Sequence, residues 1–270
     1  MTSALPSWQA DVLDAGELYR VGGAVRDRLL GLADAADTDF LVRAVAPADL
    51  EAILARHGAW SMVGKAFGVY KFTPRGTDAT VDIVYPRTEA STGVGHRDFV
   101  VRSDWTLPVE SDLGRRDFTI NAVAERVPDG AIVDPFHGRA DLERRVLRMI
   151  FPQAFAEDPL RILRGARFAA RFDLTVEDAT LAAMKAAAGL LASVSAERVQ
   201  DEFSKTLVQC ARPSRAFDLL HEISSLATWL PELDRCVGVT QNEYHPDDVY
   251  WHSLKVCDAA PRGRLLVRWA

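Results

Sequence analysis

Residues 18–42 read LYRVGGAVRDRLLGLADAADTDFLV. Leu18 to Val21 is a short β-rich run ending in Gly22-Gly23, Ala24 to Leu30 follows with helical character, and Asp39 to Val45 forms a second β-rich run. Gly22 and Gly23 carry no side chain, so the backbone of the turn can approach a ligand closely, and the helix after it aims its first N–H groups at an anion. Arg26, in the first turn of that helix, adds a permanent positive charge. A tight strand-to-helix turn with no ligand is the competing reading. Asp37-Thr38-Asp39 opens the second strand, and in extended chain residues two apart project to one face about 7 Å from each other. Two aligned carboxylates suit a hard cation such as magnesium, which takes a few carboxylates together with phosphate oxygens.

Outward from this stretch, a helix is expected over Pro47 to His57, and strands over Gly68 to Thr73 and Ala79 to Tyr85. In the last of these, Ala79, Val81, Ile83 and Tyr85 alternate with Thr80, Asp82 and Val84. Asp82 is thus a charge within an apolar strand. It either faces solvent from a one-sided sheet or joins Asp37 and Asp39 as a metal ligand or an activator of an attacking hydroxyl. Short strands and helices alternate up to about residue 150, which predicts an α/β domain built on a small mixed sheet. Beyond Phe151 the periodicity turns helical, with helices expected over Glu157 to Phe172, Glu177 to Leu191, Ala196 to Cys210 and Ser214 to Ile223, the third capped by Ser195.

With 270 residues and 48% apolar content, the chain is long enough for two domains with buried cores. Cys210, Cys236 and Cys257 are odd in number and widely spaced, which predicts reduced thiols and no zinc ribbon. The N-terminus lacks a basic start followed by an apolar core, and no window approaches a membrane span, so a cytoplasmic location is expected. The net charge of −6 argues against indiscriminate nucleic-acid binding. It is unevenly spread: Arg139 to Arg171 holds eight arginines against four acidic residues, a local +4 that leaves −10 for the remainder.

The interval between GGAVRD and DTDF resembles that of the class II tRNA nucleotidyltransferase (CCA-adding enzyme) and bacterial poly(A) polymerase family. The resemblance continues in order through DIVYPRTE (82–89), ESDLGRRDFTINAVA (110–124), VDPFHGRADLERRVLR (133–148) and EDPLRILRGARFAARF (157–172). It implies a polymerase-beta-like nucleotidyltransferase head followed by all-helical neck and body domains. The expected reaction is addition of C and A residues from CTP and ATP to the 3′ end of tRNA. Asp37 and Asp39 would hold magnesium, with Asp82 as a third catalytic carboxylate. Gly22, Gly23, Arg26, Arg116, Asp117 and Asn121 would bind the nucleotide. Arg115 and Arg116 present forked donors suited to phosphate, while Asp117 and Asn121 offer groups for a ribose or for orienting those arginines; a salt-bridged helix start is the competing reading.

Residues 157–171, plotted as one helix, place Glu157, Asp158, Arg161, Arg164, Arg167 and Arg171 on one half and Ile162, Leu163, Ala166, Ala169 and Ala170 on the other. A solvated charged face with an Asp158–Arg161 pair would account for this pattern. The resemblance implies more: Asp158 and Arg161 would imitate base pairing to the incoming nucleotide, with Arg164 and Arg167 holding phosphate or orienting the pair. A carboxylate accepts from the exocyclic amino group of cytosine or adenine, whereas uracil and guanine present a carbonyl there.

The helical half is expected to hold the tRNA acceptor arm by phosphate and shape contacts, with Arg198, Lys205, Arg212 and Arg215 as candidates beside the reading of ordinary surface charges. QNEYHPDDVYWHSLKVCDAAP (241–261) resembles the opening of an HD phosphohydrolase module, with His252 as its first histidine. The chain ends at Ala270, before the His-Asp doublet such a site needs, so no HD metal site is expected and a truncated chain is. The expected domains are a head at 1–150, a neck and body at 151–235, and an HD-like start at 236–270. Between Arg87 and Arg115 the sequence TEASTGVGHRDFVVRSDWTLPVESDLG lacks the Arg-Arg-Pro and Tyr-Pro patterns associated with full CCA or A addition. A CC-adding enzyme is therefore the main alternative, ahead of a poly(A) polymerase or an HD phosphohydrolase with a vestigial head.

Overall fold

A computed structural model describes residues 5–32, 39–63, 68–91, 99–242, 244 and 246–270. It separates into two compact units, Met1–Leu142 and Glu143–Ala270. The division falls before residue 150 because Val146 and Leu147 pair in parallel with Thr175 and Val176, and Arg145 donates to the Phe172 carbonyl at 2.8 Å. These contacts tie 145–147 to the helical part.

Unit 1 runs α1 (Ser7–Ala15), β1 (Glu17–Val21), α2 (Gly23–Leu29), β2 (Asp39–Arg43), α3 (Pro47–His57), β3 (Gly58–Val63), β4 (Val69–Pro74), β5 (Val81–Val84), β6 (Arg87–Ser91), β7 (Phe99–Ser103), α4 (Val109–Gly114), β8 (Ala124–Val127), β9 (Ile132–Val133) and α5 (Gly138–Glu143). Seven strands form one mixed sheet in the order β3-β4-β5-β2-β1-β8-β9, while β6 and β7 pair separately. Within the seven-stranded sheet β2 and β5 are parallel and the other neighbours antiparallel.

The alternation of side chains in the strands decides the two faces of this sheet. Leu18, Phe40, Val42, Tyr70, Phe72 and Ile83 share one core with Trp8 and Val12 of α1 and Leu50, Ile53 and Leu54 of α3. Trp8 meets Phe40 and Phe72 edge-on, at ring centroid distances of 5.1 and 5.4 Å. With Phe40, Val42 and Ile83 committed to this core, Asp39 and Asp82 lie on the opposite face. The expected strands are present; β3, β6, β7, β8, β9 and helices α1, α4 and α5 were not expected.

Unit 2 comprises β10 (Val146–Leu147), α6 (Ala154–Glu157), α7 (Leu160–Phe172), β11 (Thr175–Val176), α8 (Asp178–Ala187), α9 (Ala196–Gln209), α10 (Ser214–Glu222), α11 (Pro231–Asp234), α12 (Val249–Ala259) and α13 (Leu265–Trp269). The single helix expected over 157–172 is two helices, with Asp158 between them in extended backbone (φ −137°, ψ 96°). Pro159 is the cause, since the residue before a proline is driven out of the helical region by clash with the ring. Ser195 makes no capping bond to α9. The last two helices pack within unit 2. Arg268, 5% exposed, donates to the carbonyls of Leu207 and Cys210 at the end of α9, at 2.5 and 3.0 Å, and Ser214 donates through its hydroxyl to Asp258 at 2.6 Å. Among the described residues no helix is long and apolar enough to cross a membrane. The three cysteines are free, and burial pushes the Cys210 thiol up to about 11.

Candidate nucleotidyltransfer site

In unit 1 the sheet register brings the first group of residues together. Asp39, the first residue of β2, pairs across the parallel ladder with Asp82 of β5 and across the antiparallel ladder with Val21 of β1. Paired residues share a face, so the two carboxylates stand on neighbouring strands beside the end of β1. Asp82 is gripped by Lys71 of β4, its own cross-strand partner, at 2.6 Å and is 31% exposed. Asp37 lies outside the described residues. Among those described, no group of three or more His, Cys, Asp or Glu side chains is gathered as for a metal ion.

Gly22 follows β1 with φ 76° and ψ −142°, a conformation nearly confined to glycine. A Cβ added there would lie 3.2 Å from Arg116 Nη1 and 3.4 Å from Asp39 Oδ2. The Asp39 carboxylate and the Arg116 guanidinium therefore both lie against the glycine turn, although the three come from separate stretches of sequence. A Cβ at Gly23 would meet Arg26 Nη2 at 3.3 Å.

Arg26, expected to face an anion, is only 4% exposed. It donates to Asp27 Oδ1 through Nε at 2.8 Å and to Asn121 Oδ1 through Nη1 at 2.6 Å, which ties α2 to the turn Thr119–Asn121. Asn121 in turn donates to Asp117 Oδ1 at 2.9 Å, and both side chains are buried. Asn121 is thus not the exposed residue of a simple helix start. Arg116 donates to Asp112 at 2.9 Å and to the Asn121 carbonyl at 3.2 Å, and its buried Nε has no hydrogen-bond partner among the described residues. Asp112 was not singled out from the sequence. It is fully buried between Arg115 and Arg116; burial alone would raise its carboxyl, but the two guanidiniums outweigh it and hold the group below its ordinary value of 3.8. Its position one helical turn before the arginine pair was the available signal.

In unit 2 the charged residues of α7 are not a solvated face. Arg161 is 9% and Arg167 4% exposed, because α9 and α10 pack over the helix. Buried guanidiniums need partners, and α9 brings them. Glu202, 2% exposed, accepts from Arg167 Nε at 2.8 Å and lies 3.9 Å from Arg164; Gln209 accepts from Arg167 at 3.2 Å and Arg171 at 3.0 Å. Arg164 and Arg167 lie over the Phe168 ring, at 5.3 and 4.5 Å from its centroid. Beside the expected Asp158–Arg161 pair, each residue has further partners. Arg161 lies 3.8 Å from Glu157 and donates to the Ala154 carbonyl at 3.3 Å, while Asp158 is held by Arg198 of α9 at 3.1 Å. Glu202 was missed because its partners lie on another helix.

The head region, residues 18–148, matches a family profile described as the poly A polymerase head domain, and residues 173–237 match one described as "Probable RNA and SrmB- binding site of polymerase A". The chain is 44% identical over 251 residues to the Multifunctional CCA protein of Dechloromonas aromatica (strain RCB), spanning 91% of this chain and 58% of that protein. It is 43% identical over 266 residues to the same-named protein of Cupriavidus metallidurans, spanning 94% and 61%. This chain belongs to the class II CCA-adding enzyme family.

Solved members share the fold. The Bacillus stearothermophilus CCA-adding enzyme in complex with CTP superposes with a TM-score of 0.72 at 28% identity, covering 97% of this chain and 64% of that one. A tRNA nucleotidyltransferase complexed with a primer tRNA and an incoming ATP analog gives 0.69 at 27% identity, covering 98% and 73%. The polymerase-beta-like head expected from the sequence is thus present, and so is its helical sequel. The chain spans about three fifths of the length of the curated family members it matches.

Proposed function

We propose that the whole protein is a cytoplasmic, magnesium-dependent tRNA nucleotidyltransferase that adds C, C and A to the tRNA 3′ end from CTP and ATP without a nucleic-acid template. The observation that carries this reading is the meeting of Gly22, Asp39 and Arg116 beside Asp82. It puts a side-chain-free backbone, carboxylates and a guanidinium at one place, which is the set a triphosphate and its cation require. The oxygen donors of Asp39, with Asp37 and Asp82, fit a hard divalent ion. Magnesium bound there would supply charge neutralisation for the attacking 3′-hydroxyl and the departing pyrophosphate.

The remaining chemistry belongs to the chain's own side chains. Arg116, oriented by the buried Asp112, meets phosphate oxygens, and the Gly22-Gly23 backbone lets the triphosphate approach. Arg26 holds Asn121, and Asp117 holds it from the other side, so this trio shapes the nucleotide-binding turn. In unit 2 the Asp158 carboxylate accepts from the amino group of cytosine or adenine, and Arg161 donates to the adjacent ring nitrogen. Uracil and guanine set a carbonyl oxygen against the carboxylate, leaving a bond unmade and adding repulsion. Arg164 and Arg167, fixed by Glu202, orient that pair.

The name shared by the relatives, Multifunctional CCA protein, favours complete CCA addition. The absence of the expected A-adding patterns between Arg87 and Arg115 favours CC addition alone, which makes the two readings separable. The test is incubation with magnesium, labelled CTP or ATP, and tRNAs ending at the discriminator base, at C or at CC. Incorporation on all three supports CCA addition, C without A selects the shorter product, and none at all rejects the transferase. Asp39→Ala is expected to lower incorporation at least about 10³-fold with an unchanged circular dichroism spectrum; retained activity would remove Asp39 from the metal site.

A further inference from the structure

Resting on the reading of Asp39 and Asp82 as carboxylates of the metal site, we propose that Lys71 is a tethered counter-ion that competes with the divalent cation for Asp82. It thereby sets the cation concentration at which the site fills. The ladder places the three residues. Asp82 of β5 is the cross-strand partner both of Lys71 on β4 and of Asp39 on β2, so the ammonium and the two carboxylates stand in a row on one face of three neighbouring strands. Lys71 Nζ lies 2.6 Å from Asp82 Oδ1 and 2.7 Å from Oδ2. An ammonium within bonding distance of both oxygens takes the place from which a carboxylate would hold a cation.

The neighbouring side chains bring hydroxyls to this row and no further charge. Thr73 and Thr80, next along the same faces of β4 and β5, bond each other through their hydroxyls at 2.7 Å, and the other cross-strand partner of Lys71 is Ser61 of β3. Exposure decides how firmly the pair holds. The Lys71 side chain is 45% and that of Asp82 31% exposed. Water screens such a pair, and the hydrated ammonium on its four-carbon stem can turn outward at little cost. A doubly charged ion that gathers several oxygen ligands displaces it. The cation must nevertheless take Asp82 from a charge that is covalently attached and always at hand. Lys71 therefore raises the concentration needed to fill the site without closing it.

The experiment measures binding of manganese(II), an oxygen-seeking stand-in for magnesium, to the intact protein without nucleotide or tRNA, from the loss of the free ion's paramagnetic resonance signal. Lys71→Met keeps most of the stem and removes the charge. It is expected to lower the dissociation constant about two- to fivefold, the worth of a part-exposed ion pair. In an Asp82→Asn background the same substitution is expected to bring a smaller gain, because the carboxylate under contest is gone. Lys71→Arg keeps the charge and can bond both carboxylate oxygens, so it holds the constant at or above the parent's value. Both side chains are part-exposed, so the variants are expected to fold, and their melting midpoints without metal check this. Unchanged or weakened binding in Lys71→Met would overturn the assignment. So would an equal gain in both backgrounds, the mark of a general field and not of a contest for Asp82. Asp39→Ala separates this role from the metal-site reading. If Asp39→Ala abolishes binding and Lys71→Met leaves it unchanged, only the role of Lys71 falls; if binding survives Asp39→Ala, the metal-site reading falls and takes the Lys71 assignment with it.

Discussion

Gly22 is required twice over, by its backbone and by its neighbours. Its φ of 76° with ψ −142° strains any residue bearing a Cβ, and that Cβ would press on Arg116 Nη1 from 3.2 Å. Gly22→Ala is expected to cost about 1–3 kcal/mol of stability and to lower nucleotide incorporation by displacing the guanidinium. Calorimetry and the incorporation assay check this, and an unshifted melting point with full activity would refute it. Asp112 gives a pH-dependent counterpart. Its carboxyl is held below 3.8 in the fold, so its contribution is complete above that value and is lost as the pH falls through the lower folded one. Asp112→Asn, which leaves two guanidiniums facing a neutral amide, is expected to cost about 3 kcal/mol at pH 7. In urea titrations the gap from the parent protein should narrow as the pH falls below about 4; a constant gap would contradict the assignment.

At the scale of elements, Pro159 decides where the Asp158 carboxylate, proposed above to select the base, stands. Replacing it by alanine removes the clash that keeps Asp158 extended, allowing α6 and α7 to join. Pro159→Ala is expected to leave stability within about 1 kcal/mol, raise helicity slightly and reduce the preference for CTP over UTP. Unchanged selectivity would show that Asp158 keeps its place without the break. The same proline marks the boundary of what was legible in advance. Helical periodicity located α7 and its arginines, but a wheel drawn through Pro159 put Asp158 in phase with Arg161. One partner that it has, Arg198, lies on a different helix, and no local spacing encodes a contact 40 residues away. The head read better, because strand alternation is a local property: the faces of Asp39 and Asp82 followed from period two. Strands β3, β6, β7, β8 and β9 were missed, since short strands owe their place to their neighbours more than to a pattern of their own.

Across the whole molecule, the residues proposed to bind metal and triphosphate, Asp39, Gly22 and Arg116, lie in unit 1, and those proposed to select the base, Asp158 and Arg161, lie in unit 2. Arg268 closes the last turn of α9 from the end of the chain, so the helix that braces α7 is finished by residues more than a domain's worth of sequence away from the head.

The parallel pairing of Asp39 with Asp82 also has a thermodynamic side. Closing the β2–β5 ladder sets two like charges opposite each other on neighbouring strands, which opposes pairing, and Lys71 offsets part of that repulsion from β4. A divalent cation that binds the closed sheet and not the open chain returns free energy to folding, about 2.7 kcal/mol at a hundredfold excess over its dissociation constant. The melting midpoint is therefore expected to climb with magnesium chloride but not with sodium chloride at matched ionic strength, and Asp82→Asn is expected to melt higher without magnesium and respond less to it. An identical response to both salts would refute this coupling. Where it holds, the cell's free magnesium governs how much of this protein is folded as well as how fast it works.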